Sequence, residues 1–211
     1  MIIESVLRKD EYTVIVYFDN NQKLILSEEV FFNSSLRKGD EVSDDRFSYF
    51  IEQNIIYHIK QKALLLLVRR YHSEIELLIK LKSKSYDEKL IKIVLNDLIE
   101  KGFIDDYIFA KHFIEEKLNS KKWGKNKIKS ALFSKGVNGS TVDQVMNEFF
   151  NDKNDFDLAF EFAEKKLIQL KKRNTDPKKY YQKITAFLLS RGISYETIQD
   201  VCQKILKEDI S

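Results

Sequence analysis

Lysine and arginine are concentrated in two stretches that are nearly free of acidic residues. The first, Lys117 to Lys129, holds six lysines, no acid and Trp123 at its centre. The second, Lys165 to Arg191, holds nine basic residues, one acid, Asp176, and two adjacent tyrosines. Basic side chains interleaved with aromatic rings are the footprint of a polyanion-binding surface, and lysine neutralises phosphate without reading sequence. We expect a polyanion-binding surface, with an acidic protein partner or a solvated face without partner as the alternatives.

Residues suited to catalysis or metal binding are scarce. Cys202 is in phase with Ile198 and Ile205 on the apolar face of a predicted helix, so we expect it in the core. The adjacent Asp105 and Asp106 precede a predicted helix, where capping and the helix dipole explain them. No glycine-rich phosphate loop is present, and no Cys or His has metal-ligand spacing; the three histidines are His58, His72 and His112. We expect no enzyme, cofactor or metal, unless a site assembles from distant residues.

Composition limits the class of protein. The 211 residues include 36 Lys and Arg against 33 Asp and Glu, 43% hydrophobic residues, one Pro and six Gly. Such a chain is globular, and it has too few turn residues for an all-β fold. A single Cys indicates a reducing compartment. The longest apolar run, Ala63 to Val68, is far shorter than the roughly 18 residues of a membrane span. The start Met1-Ile2-Ile3 is followed by an acid, Glu4, so we expect no secretory signal. We expect a cytoplasmic monomer that makes no membrane contact.

The first 43 residues differ from the rest. Tyr12–Phe18 is rich in β-branched and aromatic residues, and the turn signal at 19–22 leads into Lys23–Leu26. This pattern predicts a β-hairpin, with Ile2–Leu7 as a third strand, a short helix over 28–32 and a loop at 37–40. From residue 44 the apolar period is helical. The predicted helices are 44–71, with a break near 55 as an option, 74–85, 87–101, 106–120, 125–135, 140–151, 155–173, 177–191 and 195–208.

Three segments align without gaps at 77–86, 128–137 and 184–193. Each combines an apolar helix with a corner of serine, a basic residue and, in two of the three, glycine; a second apolar helix follows. A helix containing a small residue precedes each unit. The predicted fold is mainly α, with three tandem three-helix repeats in an elongated curved array after a small N-terminal β-hairpin-containing unit. The predicted divisions are 1–43, 44–104 with its lead-in helix, 105–153 and 154–211.

Both basic stretches fall at the same place in their repeats, between the first and second helix. Equivalent loops of tandem repeats lie in a row along one edge. We call this predicted binding surface the basic edge. Arg70 and Arg191 are included with the alternative that each caps its own helix. The full set is Lys121, Lys122, Lys125, Lys127, Lys129, Lys171, Lys172, Arg173, Lys178, Lys179, Arg70 and Arg191.

Three motifs in register resemble a known family. The motif of the first repeat and its junction is Arg70-x-x-Ser73-x-x-Glu76-Leu77, Leu81-x-x-Lys84 and Gly102-Phe103-Ile104-Asp105-Asp106-x-x-Phe109-Ala110. The others are Trp123-Gly124-x-x-Lys127-Ile128-x-x-x-Leu132-x-x-Lys135-Gly136-Val137 and Leu188-x-x-Arg191-Gly192-Ile193. Together they resemble the bacterial RecX regulatory proteins, modulators of the RecA recombinase, over nearly the whole chain. Ser85 departs from the family's usual glycine, and Tyr107-Ile108 departs from its charged and basic pair.

The resemblance implies a regulatory function. RecX proteins bind RecA filaments on single-stranded DNA and lower their ATPase and strand-exchange activities by lying in the filament groove, within recombination, DNA repair and the SOS response. It implies that the basic edge contacts the RecA filament and single- or double-stranded DNA without sequence preference. Two alternatives stay open: a nucleic-acid-binding helical-repeat protein without a recombinase partner, and a protein-interaction scaffold whose basic edge meets an acidic peptide.

Overall fold

The computed structural model describes residues 1–150 and 152–208. Asn151, where one predicted helix ends, and residues 209–211, the end of the third predicted repeat, lie outside the described residues. The described chain forms two compact units, one of residues 1–70 with 77–104 and one of residues 71–76 with 105 onward. The division into an N-terminal unit and three separate repeats stays a prediction.

A three-stranded antiparallel sheet begins the first unit. Its strands are β1 (Ile3–Arg8), β2 (Thr13–Phe18) and β3 (Lys23–Ser27), in the order β1-β2-β3. Alternate residues of β2 and β3 point inward, so that Val14, Val16, Phe18, Leu24 and Leu26 are buried. This period of two was the basis for predicting the hairpin, and the expected third strand is present. The short helix α1 (Glu28–Ser34) follows directly, with the Ser27 hydroxyl accepting from the Val30 N–H.

The first helix triplet consists of α2 (Asp44–Leu67), α3 (Glu74–Lys82) and α4 (Glu88–Glu100). The optional break near residue 55 is absent, since Ile55 and Ile56 pack continuously against the core of this repeat. That core is formed by fully or nearly fully buried aliphatic residues at helical spacing: Ile59, Ala63, Leu77, Leu81, Ile91, Val94, Leu95, Leu98 and Ile104. α2 ends at Leu67, four residues earlier than predicted.

The second triplet consists of α5 (Asp106–Glu116), α6 (Lys125–Ser134) and α7 (Gly139–Phe149). The predicted single helix 106–120 is wrong in its last turn, because residues 117–121 form a π-helical turn. This wider turn ends at Lys122, which has a left-handed backbone with φ +54°. Its N–H donates to the Lys117 carbonyl, the i→i+5 bond that defines a π turn.

The third triplet consists of α8 (Asp152–Lys172), α9 (Tyr180–Arg191) and α10 (Tyr195–Glu208). A 3-10 turn, Pro177–Lys179, precedes α9, and the Asp176 carboxylate caps it with proline at the first position, as predicted. Cys202 is fully buried in this core, as expected.

Equivalent corners of the three triplets follow one rule. Gly136 and Gly192 follow the second helices of their triplets, with φ of +78° and +84°. Ser85 occupies the same corner of the first triplet with φ +64° and is exposed, so no packed neighbour excludes its side chain. This explains why the first corner tolerates a residue other than glycine. Among the described residues, no helix is long and apolar enough to span a membrane.

Candidate functional site

Five residues of the basic edge are exposed and unengaged. The side chains of Lys121, Lys172, Arg173, Lys178 and Lys179 make no hydrogen bond or ion pair with any described residue. Lys121 ends the π turn, while the other four flank the turn that joins α8 to α9. Lys171 is also exposed but has an interaction of its own. We call the five unengaged residues the free cations.

Other residues of the basic edge make ion pairs or hydrogen bonds within the second unit. Lys125 Nζ lies 3.3 Å from Asp155 Oδ2, and Lys127 Nζ donates to the Ser190 carbonyl at 2.8 Å. Lys127 Nζ also lies 4.9 Å from the centroid of the Trp123 ring, a cation–π contact. These two lysines therefore hold the second triplet against the third.

Arg191 has the same structural role. Its Nη1 donates to the Lys121 carbonyl at 2.5 Å, and its guanidinium carbon lies 5.0 Å above the Phe187 ring. Its own carbonyl accepts the Gly124 N–H at 2.6 Å. Its Nε is buried and has no hydrogen-bond partner among the described residues.

The remaining members of the basic edge are placed differently. Lys122 Nζ lies 5.9 Å from the Phe162 ring of α8. Lys129 Nζ pairs with Asp143 Oδ1 at 2.8 Å on the exposed surface, where such pairs stabilise by less than about 1 kcal/mol. Arg70 is exposed and belongs to the first compact unit.

The free cations form two groups instead of one continuous row. Lys121 lies beside Arg191 at one end of α9, and Lys179 precedes the other end of that 12-residue helix. At about 1.5 Å per residue the helix separates them by roughly 18 Å. That distance corresponds to about five nucleotides at 3.4 Å per step along one strand of a duplex. A single polyanion would have to span this length to contact both groups.

Within the second unit a similar set of contacts occurs twice: residues 73–76 contact the second triplet, and residues 124–127 contact the third. We call each set a joint. In the first joint, the Ser73 hydroxyl donates to the Lys135 carbonyl at 2.7 Å, and Lys135 Nζ contacts the Glu76 carboxylate. In the second joint, the Gly124 N–H donates to the Arg191 carbonyl. Ser73 aligns with Gly124 and Lys135 with Arg191 in the repeat register, so the two joints are equivalent.

The start of a following triplet completes each joint. The Glu74 N–H donates to Asp106 Oδ1 at 3.0 Å, and Lys125, which aligns with Glu74, pairs with Asp155. Partial burial raises the pKa of the Asp106 carboxyl above its ordinary value of 3.8, against the lowering by the Glu74 N–H. Asp105 caps α5 as predicted, whereas Asp106 proves to be a joint residue.

Glycine is required where the joints close. A Cβ on Gly136 would lie 2.3 Å from Ile75 Cγ1, and one on Gly192 would lie 2.5 Å from Lys127 Cβ. The role of Lys125 and Lys127 in the joint was missed from the sequence. The signal was there, because the repeat register aligns them with Glu74 and Glu76, which follow the Ser73 cap.

Exposed basic side chains arranged in this way are suited to binding an anion or an acidic protein surface. Within residues 1–150 and 152–208 no cluster of acidic, His or Cys side chains is arranged to hold a metal ion.

Comparison with known proteins identifies the family. Residues 105–146 match the model of the second three-helix domain of RecX, and residues 153–202 match that of the third. Regulatory protein RecX of Clostridium acetobutylicum is 33% identical over 203 residues, covering 96% of this chain and 94% of the relative. Regulatory protein RecX of Clostridium tetani is 34% identical over 205 residues, covering 97% and 94%.

Solved structures agree on the fold. A crystal structure of a regulatory protein RecX superposes with a TM-score of 0.75 at 21% identity, covering 96% of this chain and 98% of that one. The crystal structure of RecX from Lactobacillus salivarius gives 0.62 at 24% identity, covering 72% and 97%. The matches of the second and third helix triplets to the family's domains, and the relatives' identity over almost the full length, place the chain in the RecX family of regulatory proteins.

Proposed function

We propose that this protein regulates the RecA recombinase: as a cytoplasmic monomer, it binds RecA filaments and their DNA and lowers RecA ATPase and strand exchange during recombination and DNA repair. The observation that carries the proposal is the set of five free cations on the second unit. A RecA filament on DNA presents both phosphates and acidic protein surface to such a set.

The free cations are better suited to bind a partner than the basic side chains that already make internal contacts. An anion that binds the free cations displaces no internal contact of the protein. Binding to Lys125, Lys127 or Arg191 would instead break bonds that hold two triplets together. The proposed contact residues are therefore Lys121, Lys172, Arg173, Lys178 and Lys179, while Lys125, Lys127 and Arg191 act as positioning residues. Lys122, Lys129 and Lys171 are secondary members of the surface, while Arg70, on the first unit, is a separate candidate contact residue.

The direct test is RecA ATPase on single-stranded DNA, titrated with this protein while DNA is in excess. Excess DNA removes simple competition for the lattice. We expect the rate to fall at well below one copy per RecA monomer, since one bound regulator affects many subunits of a filament. An unchanged rate across the titration would contradict the proposal.

A fourfold variant tests the free cations. Changing Lys172, Arg173, Lys178 and Lys179 to glutamine removes four positive charges without touching a described contact. We expect at least a tenfold rise in the concentration that gives half inhibition. The matched control changes Lys38, Lys80, Lys84 and Lys89, which are exposed and make no described side-chain pair, to glutamine. Equal inhibition by the two variants would mean that total charge, and not this surface, is responsible.

A different outcome would favour the alternative function. If the protein binds single-stranded DNA with steep salt dependence but leaves RecA ATPase unchanged, it is a DNA-binding helical-repeat protein with another partner. If it binds neither DNA nor RecA at physiological salt, an acidic peptide becomes the expected ligand.

A further inference from the structure

Two equivalent joints are filled within the second unit, and the third triplet presents a corresponding surface that no residue of 1–150 or 152–208 covers in the same way. In the repeat register Lys125 aligns with Tyr181, and Lys127 aligns with Lys183. Lys125 and Lys127 are half-buried against the third triplet, whereas Tyr181 is 45% exposed and Lys183 is exposed. We call the surface of Tyr181, Gln182, Lys183 and the neighbouring cleft the open joint.

A cleft of mixed polar and apolar lining lies beside Tyr181. It has a volume of about 580 Å³ and lies between α9 and α10. Its lining residues are Tyr181, Gln199, Asp200, Cys202, Gln203, Leu206 and Lys207. Leu206 aligns with Phe150, which is 96% buried in the second triplet, whereas Leu206 is only partly buried. Leu158 of α8 packs against that same core. The cleft thus corresponds to the place where the second triplet is covered by the first turns of the following helix.

The start of α8, which occupies the filled joint, indicates what kind of helix would bind the open joint. Asp155 pairs with Lys125, and Leu158, three residues later on the same helix, packs against the apolar core. Residues 155–164 of α8 contain four acidic residues and no basic one. A half-helix of this kind is acidic on its polar side and apolar on the side that it buries.

Exposed basic side chains surround the open joint. Lys183 lies within it, and Lys178 and Lys179 of the preceding 3-10 turn lie one turn away, all exposed. Tyr181 takes the place of Lys125 and offers a hydroxyl that donates to a carboxylate. The exposed lysines outnumber Asp200, the one acid of the cleft lining, and attract a helix with acidic residues, while Tyr181 and Leu206 fit its apolar side.

We propose that the open joint docks an acidic amphipathic helix of the partner protein, one with an acidic residue followed three residues later by an aliphatic residue. The helix takes the place that the start of α8 takes on the second triplet. The proposal rests on the proposed function for the partner's identity as the filament protein and adds the chemistry by which the two recognise each other.

A peptide tests the chemistry without RecA. The probe is a fluorescent, hydrocarbon-stapled helical peptide with the sequence of residues 155–164, titrated with the full chain. A second peptide carries Asp155→Asn and Leu158→Ala. We expect saturable binding of the first and at least tenfold weaker binding of the second. Absence of binding, or equal binding of both peptides, would overturn the proposal whatever the protein does to RecA.

Variants locate the binding. Tyr181→Ala with Lys183→Glu changes exposed residues of the open joint, and Tyr195→Ala with Lys80→Glu is the matched control on exposed residues elsewhere. We expect the joint variant to lose peptide binding and RecA inhibition by at least tenfold, with single-stranded DNA affinity within threefold of wild type. Loss of DNA affinity without loss of peptide binding would overturn the proposal in favour of a nucleic-acid surface.

Failures of the two proposals are distinguishable. If wild type leaves RecA ATPase unchanged but binds the peptide through Tyr181 and Lys183, the open joint stands and its partner is another protein. If wild type inhibits RecA and the joint variant inhibits equally, the open joint is not the docking site while the proposed function stands.

Discussion

Gly192 combines a backbone requirement with a packing requirement at a single residue. Its φ is +84°, and an added Cβ would meet the Lys127 backbone nitrogen at 2.6 Å. Gly102 has φ +73° but no atom within 4 Å of an added Cβ. A comparison of substitutions at Gly102 and Gly192 therefore separates the cost of backbone strain from the cost of a steric clash in the joint.

Gly192→Ala should destabilise the protein more than Gly102→Ala. The left-handed conformation costs an alanine about 1–2 kcal/mol at either position, and overpacking at Gly192 adds about 1–3 kcal/mol. Urea denaturation followed by circular dichroism measures both free energies of unfolding. Equal losses would mean that α6 and α9 separate at no cost, which would contradict a closed joint.

Asp106 is the joint residue whose charge is costly. Its pKa is raised above 3.8, chiefly by burial, while Oδ1 accepts the Glu74 N–H. A raised carboxyl pKa means that the folded state binds this proton more tightly than the unfolded state does. The protein therefore loses stability as pH rises from the carboxyl's pKa in the unfolded chain through its pKa in the folded chain.

Two substitutions at Asp106 separate the cost of its charge from the value of its hydrogen bond. Asp106→Asn keeps the oxygen acceptor and removes the charge, so its stability relative to wild type should increase as pH rises above about 4 and then level off. Asp106→Ala also removes the charge, so its difference from wild type changes with pH in the same direction, but it leaves the Glu74 N–H without an acceptor and should be about 1–3 kcal/mol less stable than Asp106→Asn at every pH. Free energies of unfolding between pH 3.5 and 7 check both, and a pH-independent difference between Asn and wild type would disprove the assignment.

The sequence predicted the helix-capping residues correctly but not the residues that connect one triplet to the next. Asp105, Asp176 and Ser73 accept local N–H groups within three residues, so their spacing in sequence revealed them. Lys125 and Lys127 bond to residues 30 and 63 positions away. Such partners are set by how triplets pack, which one sequence does not display except through its repeats.

At the scale of elements, Asn54 ties α2 to the N-terminal sheet. Its Oδ1 accepts the Ser27 N–H at 2.7 Å, and its Nδ2 donates to the Ile25 carbonyl at 3.2 Å. The amide therefore satisfies backbone groups on the outer edge of β3, which is otherwise open to pairing with another strand.

Asn54→Ala should loosen this edge. Removing both hydrogen bonds leaves two backbone groups unsatisfied and should cost about 1–3 kcal/mol. Amide hydrogen exchange at Ser27 should accelerate, while exchange in α8–α10 should not change. Glu52→Ala, on an exposed position of the same helix, is the control. Unchanged protection at Ser27 would show that the edge is held by other contacts.

Element boundaries followed the sequence wherever a cap or a period marked them. The three strands and the helix triplets were predicted because apolar residues recur at the spacing of each element. The π turn at 117–121 was not predicted, since Lys, Leu, Asn and Ser there carry an ordinary helical pattern. The wider turn is associated with tertiary bonds, in which the Lys121 carbonyl accepts from Arg191.

At the scale of the whole molecule, charge is divided along the chain. Residues 1–56 carry a net charge of −5 and residues 57–211 carry +8, although the total is only +3. Net charge therefore underestimates the attraction of the helical part for a polyanion. The N-terminal sheet unit repels phosphate, so DNA contacts should fall on the helical repeats.

Salt dependence measures how many of these cations meet phosphate. For single strands the logarithm of affinity falls against the logarithm of salt with a slope of about −0.7 per contact. Changing Lys172, Arg173, Lys178 and Lys179 to glutamine should therefore reduce the slope by up to about 3. The control at Lys38, Lys80, Lys84 and Lys89 removes the same charge and should keep the wild-type slope, because a distant charge releases no counterion from the DNA. Fluorescence anisotropy with labelled oligothymidine between 50 and 300 mM salt distinguishes the two. If both variants shift the slope equally, DNA responds to the overall charge of the molecule, and the free cations are not a binding site for DNA.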